Sequence, residues 1–141
     1  MKKQKITSKK SSKIADEKKS PYGYELILDL HQCDTSKFNR ESIAEFFKEL
    51  CVEIDMIRCE LHFWDDSYLP EGQTYDAPHT KGTSAVQFIV TSSIVIHTLE
   101  ILEDVYLNIF SCKTFDPKAA EKFAIDWFGA KTAKVTFIER G

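Results

Sequence analysis

Apolar and polar positions alternate from Gly23 through YELILDL, the period of a strand with one covered face, and HQCDTSKFN then supplies the polar residues of a turn. The period changes next. Ile43, Phe46, Phe47 and Leu50 recur at helical spacing behind Asn39, a capping residue, so residues 40–53 are predicted as an amphipathic helix packed on a sheet. MIRCELHFW (56–64) returns to strand character. Residues 65–82 hold two Pro, two Gly and many polar groups, which predicts the longest loop of the domain, and loops of that length are often functional. TSAVQFIVTSSIVIHT (83–98) is β-prone but interrupted by Ser92 and Ser93, and VYLNIFSC (105–112) is a strand of clear period two.

Asp116 as N-cap and Pro117 at the first helical position open a second helix, with Ala120, Phe123, Ala124, Trp127 and Phe128 along one face and Gly129 at its end. KTAKVTFIE (131–139) is the last strand. The order β-α-β-β-β-α-β, with its split β-α-β character, predicts an α+β fold: a two-layer sandwich of mostly antiparallel sheet with two helices on one face.

Composition divides the chain in two. Residues 1–20 carry eight Lys against Asp16 and Glu17, a net +6, which leaves −9 on residues 21–141. A basic, Ser-rich stretch of this kind cannot bury enough apolar surface to offset its ordering entropy, so 1–20 is expected as a disordered arm, a solubilising tail before contact with nucleic acid or an anionic membrane. The remainder, in a chain that is 43% hydrophobic with ten Phe, can form one cored domain over 21–141. No stretch has the length of a membrane span and the basic start lacks the apolar run of a secretory signal, so a cytoplasmic protein without nucleic-acid or membrane partners is expected. Cys33, Cys51, Cys59 and Cys112 form no C-x-x-C pair and His31, His62, His79 and His97 show no ligand spacing; reduced thiols and no metal are predicted.

A sheet with two helices hosts many functions, so function must come from sites. The segments GYELILDLHQCD (23–34), TSSIVIHT (91–98), NIFSC (108–112) and FGAKTAKVTFIERG (128–141) resemble the prokaryotic S-adenosylmethionine decarboxylase family. The resemblance covers about 23–141. It implies a proenzyme that cuts itself before a serine and converts that serine into a covalent pyruvoyl group. By position the serine is Ser92, so the cleaved bond is Thr91–Ser92. A family histidine five residues on matches His97, a cysteine twenty on matches Cys112, and a serine eight before matches Ser84. The implied roles follow: Ser92 Oγ attacks the Thr91 carbonyl, His97 moves protons, Ser84 hydrogen-bonds the displaced oxygen. Cys112 reprotonates the substrate carbon after CO₂ leaves a Schiff base on the pyruvoyl ketone. His31, Cys33, Cys51, Cys59, His62 and His79 are read as ordinary core or surface residues.

Ser92 and His97, five apart, would face opposite sides of an unbroken strand, so a bend is expected between them, and its strained peptide would favour cleavage. Three positions depart from the family. Thr91 replaces the usual Glu before the serine; His97-Thr98-Leu99-Glu100-Ile101 replaces H-T-W-P-E, which puts Ile101 where the family binds ribose hydroxyls; and HQ replaces YG before Cys33, with a longer 65–82 loop. Glu100 or Glu103 is the candidate to replace the lost carboxylate. The small-molecule substrate implied is S-adenosylmethionine, decarboxylated to the aminopropyl donor for spermidine synthesis. Arginine or ornithine as substrate, and an uncleaved homologue that regulates a partner, stand beside it. By resemblance the protein is a homodimer with packed sheets and active sites drawn from both protomers.

Overall fold

The computed structural model describes residues 20–141; the basic arm expected over 1–20 lies outside them apart from Ser20. Eight regular elements follow in order: β1 (Gly23–His31), α1 (Arg40–Glu53), β2 (Arg58–Trp64), β3 (Gly82–Ile89), β4 (Ser92–Leu99), β5 (Asp104–Ser111), α2 (Pro117–Phe128) and β6 (Thr132–Arg140). All strand pairs are antiparallel in one sheet of order β2-β3-β4-β5-β1-β6. The α+β class and the two-helix arrangement are as expected. The 83–98 segment, counted as one interrupted β stretch, is a hairpin of two strands, so the sheet has six.

The helix ends are fixed by the residues that predicted them. Asn39 accepts a hydrogen bond from the Ser42 amide, Asp116 accepts from the Lys118 and Ala119 amides, and Gly129 closes α2 with a φ of 62° that costs a glycine little. Both helices lie on one face of the sheet. Ile43, Phe46, Phe47 and Leu50 of α1 and Ala120, Ala124 and Phe128 of α2 are fully buried there, against Leu26, Leu28 and Leu30 of β1 and Ile94, Ile96, Leu107 and Ile109 of the neighbouring strands. Phe46 and Phe128 join the helices at 4.9 Å between ring centroids. Burial of that many large side chains, each worth about 1.5–3 kcal/mol in transfer terms, is what orders the sheet's covered side.

The alternation that built this core leaves a second face without helices. Ser84, Val86 and Phe88 of β3, Ser93, Val95, His97 and Leu99 of β4, and Tyr106, Asn108 and Phe110 of β5 belong to it, as the strand registers and burial patterns require. Among the described residues no helix is long and apolar enough to cross a membrane.

Candidate functional site

The predicted residues form two groups rather than one. Ser92 is the first residue of β4, directly after a two-residue reversal, Val90-Thr91, across which Ile89 pairs with Ser92. Its side chain turns toward the helix-covered side, only 8% exposed, and Oγ accepts a hydrogen bond of 2.9 Å from the Cys112 amide. Cys112 follows the last residue of β5, with Sγ 3.7 Å from the Val90 carbonyl oxygen. A pocket of about 160 Å³ beside them is lined by Met56, Ile57, Val90, Ser111, Cys112 and Lys113. Thr91 has a φ of 52°. A β-branched side chain in the left-handed region is strained by about 1–3 kcal/mol, and here the strain falls on the residue whose carbonyl belongs to the Thr91–Ser92 peptide.

Ser84 and His97 make the second group. They are direct partners in the β3–β4 register on the open face, with Ser84 Oγ 2.6 Å from His97 Nδ1. The ladder rather than the loop positions both. They lie in a cleft of about 520 Å³ walled by Trp64, Tyr75, His79, Leu99 and Tyr106. Tyr75 and His79 come from the 65–82 segment, which is an irregular connection containing one short 3-10 turn at Asp66–Tyr68. The segment is pinned at both ends: Arg40 holds the Asp65 carboxylate with two hydrogen bonds of 2.7 and 2.8 Å, and Lys81 bonds Asp66 at 2.8 Å. The paired Arg40 holds Asp65 well below the usual carboxylate range, so the clamp stays charged.

Ser92 and His97 are not together. β4 runs unbroken from Ser92 to Leu99, which puts them on opposite faces about 16 Å apart along the strand. The expected bend between them is absent; the reversal precedes Ser92, because the chain turns where Val90 and Thr91 leave the ladder. Glu100 and Glu103 are exposed in the β4–β5 turn, Glu103 with a φ of 57°, and neither lines either cleft. Ile101 is 52% exposed.

Surrounding protein desolvates the His97 ring and holds it below its ordinary value near 6.5, so the imidazole is neutral at neutral pH. A neutral ring can take the Ser84 hydroxyl proton at Nδ1 or return it, which suits proton transfer. Because the folded ring binds a proton less readily than the unfolded one, its contribution to stability is complete above pH 6.5 and is lost as pH falls from there toward the folded value. Urea midpoints of the wild type are therefore expected to drop more between about pH 7.5 and pH 5 than those of His97→Gln, and parallel curves would contradict the assignment. Burial pushes the Cys33 and Cys51 thiols up to about 11, which keeps both inert at neutral pH.

Some site residues escaped the sequence. Tyr106 pairs across from His97 and its hydroxyl donates to Asp104 at 3.1 Å, while Asp104 also bonds His31 at 2.9 Å. Trp64 and Tyr75 stand 6.0 Å apart at 43°. Polar and aromatic residues on the solvent-side positions of β5 carried the signal, but only the register shows that Tyr106 meets His97.

Comparison with known proteins gives a consistent outcome. Residues 24–141 match the family model for S-adenosylmethionine decarboxylase. The S-adenosylmethionine decarboxylase proenzymes of two Clostridium botulinum type A strains (Hall and ATCC 19397) are each 30% identical over 125 residues, spanning 84% of this chain and 94% of the relative. The crystal structure of the adenosylmethionine decarboxylase from Aquifex aeolicus VF5 superposes with a TM-score of 0.68 at 21% identity, covering 86% of this chain and 92% of that one.

Proposed function

This chain belongs to the S-adenosylmethionine decarboxylase family, and on that premise we propose that it is a proenzyme that cuts itself between Thr91 and Ser92 and then decarboxylates S-adenosylmethionine in the cytoplasm. The reading rests on one observation: Ser92 Oγ sits immediately after a strained Thr91 peptide with the Cys112 amide donating to it. Oγ adds to the Thr91 carbonyl carbon, the C–N bond breaks, and an ester joins the two pieces. Loss of the Ser92 Cα proton expels Thr91 as a carboxylate with Oγ, leaving dehydroalanine; tautomerisation, addition of water and loss of ammonia give the pyruvoyl group. Thr91 in place of Glu leaves this route intact, since only its carbonyl reacts.

The residues fit the group. Ser92 supplies its atoms, and the pocket of about 160 Å³ lies directly alongside, with Cys112 in its wall. A pyruvoyl group held at position 92 would supply a ketone for the substrate amine and an electron sink for decarboxylation. Cys112 holds the proton that the substrate carbon then needs. His97 and Ser84 handle the proton and oxygen of the cleavage step, and the homodimer brings them there from the facing protomer. The open face carries Val95, Phe88 at 44% exposure and Trp64 at 40%, an apolar surface suited to a second copy of itself.

A smaller amino acid such as arginine or ornithine is the second reading. Ile101 cannot accept hydrogen bonds from ribose hydroxyls, and no Asp or Glu lines either cleft. Intact mass under denaturing conditions is expected to give two chains, one ending at Thr91 and one starting with pyruvoyl at 92. CO₂ release from S-adenosylmethionine, arginine and ornithine then assigns the substrate. A single full-length mass would leave the chain as an uncleaved partner-binding homologue.

A further inference from the structure

The residue that reprotonates the substrate lies where the sheet no longer holds it. β5 pairs with β1 as far as Ser111, opposite Tyr24, and with β4 as far as Phe110, opposite Ser93. Cys112 is one residue past the β1 ladder and two past the β4 ladder, yet its amide makes the contact to Ser92 Oγ. The backbone there is closed by a side chain. Ser111, fully buried, donates its hydroxyl to the Lys113 carbonyl at 2.8 Å and accepts from the Lys113 amide at 3.1 Å.

We propose that Ser111 is a positioning residue: its hydroxyl stands in for the missing ladder, closes the Ser111–Lys113 turn around Cys112, and so sets both the Cys112 amide on Ser92 Oγ and the Cys112 thiol in the pocket wall. The proposal rests on the reading of Ser92 as the self-cleaving nucleophile. In the elimination step Oγ leaves with the Thr91 carboxylate and gathers negative charge, and an N–H already aimed at that oxygen stabilises it most where the charge develops. Ser111 touches no reacting atom. It acts through Cys112.

Threonine and valine at this position have nearly the same shape and differ by the hydroxyl, so the cost of fitting the added methyl is common to both and cancels in the comparison. Cleavage of freshly translated chain, followed by mass, is expected to slow by roughly tenfold in Ser111→Val, the value of one hydrogen bond, while Ser111→Thr recovers most of the wild-type rate. Equal rates in the two variants overturn the proposal while leaving the cleavage reading intact. If the wild-type chain stays whole, that reading fails, and hydrogen exchange at the Cys112 amide decides the positioning role: roughly tenfold faster exchange in Ser111→Val than in Ser111→Thr sustains it, and equal exchange overturns it.

Discussion

Ser92→Ala is expected to leave one folded chain of full length, with no pyruvoyl group and no decarboxylation, where the wild type gives two chains. The change removes a single oxygen at the edge of the core, so packing loses little; the Cys112 amide loses its acceptor, which costs about 1 kcal/mol at this partly buried site. The adjacent hydroxyl offers no substitute nucleophile, because Ser93 points to the opposite face. Mass spectrometry and a denaturation curve together read the result. Persistent cleavage at 91–92 in the variant would show that the nucleophile is misplaced, and loss of folding would show that Ser92 is structural. Activity without cleavage would remove the prosthetic group from the mechanism altogether.

Most of the fold was legible because periodicity and caps agreed: Asn39, Asp116, Pro117 and Gly129 marked ends that the backbone obeys. The β3–β4 reversal was not, and the reason is chemical. Val90 and Thr91 are both β-branched, residues that prefer extended backbone, and nothing in their identity signals a two-residue turn. That one missing turn hid the site's arrangement. Once the chain reverses at 90–91, pairing of Ile89 with Ser92 forces Ser84 opposite His97, and the serine–histidine pair follows from register alone. Without the turn, the same residues suggested a bend inside β4 that would gather Ser92 and His97. The four candidate residues themselves came from the resemblance; neither Ser92 nor Cys112 stands out by pattern from any polar residue at a strand end. The walls contributed by Tyr75 and His79 depend on how an irregular segment folds back, which Asp65–Arg40 and Asp66–Lys81 determine through contacts 15 or more residues apart.

Two inactive variants are expected to restore activity to each other. Within one chain Ser92 and His97 sit on opposite faces of β4, too far apart for one proton transfer, so if both serve the same reaction the histidine must come from another copy. The open face that carries Ser84 and His97 is the face without helices, and in the homodimer proposed above the Ser84–His97 pair of one copy serves the Ser92–Cys112 group at the start of β4 in the other. Ser92→Ala and His97→Ala homodimers then have no complete site. A mixed dimer has one, built from Ser92 of the His97→Ala chain and His97 of the Ser92→Ala chain; its other site carries both lesions. With random pairing half the dimers are mixed, so co-expression is expected to give about a quarter of wild-type sites, from a baseline near zero. Cleavage should follow the same rule: in the co-expressed sample only the His97→Ala chain can be cut. Differential tags identify the cut chain by mass. No recovery from a sample shown to contain mixed dimers would place Ser92 and His97 in one protomer's site, and would demand that β4 rearrange by a distance that its unbroken ladder to β3 and β5 opposes.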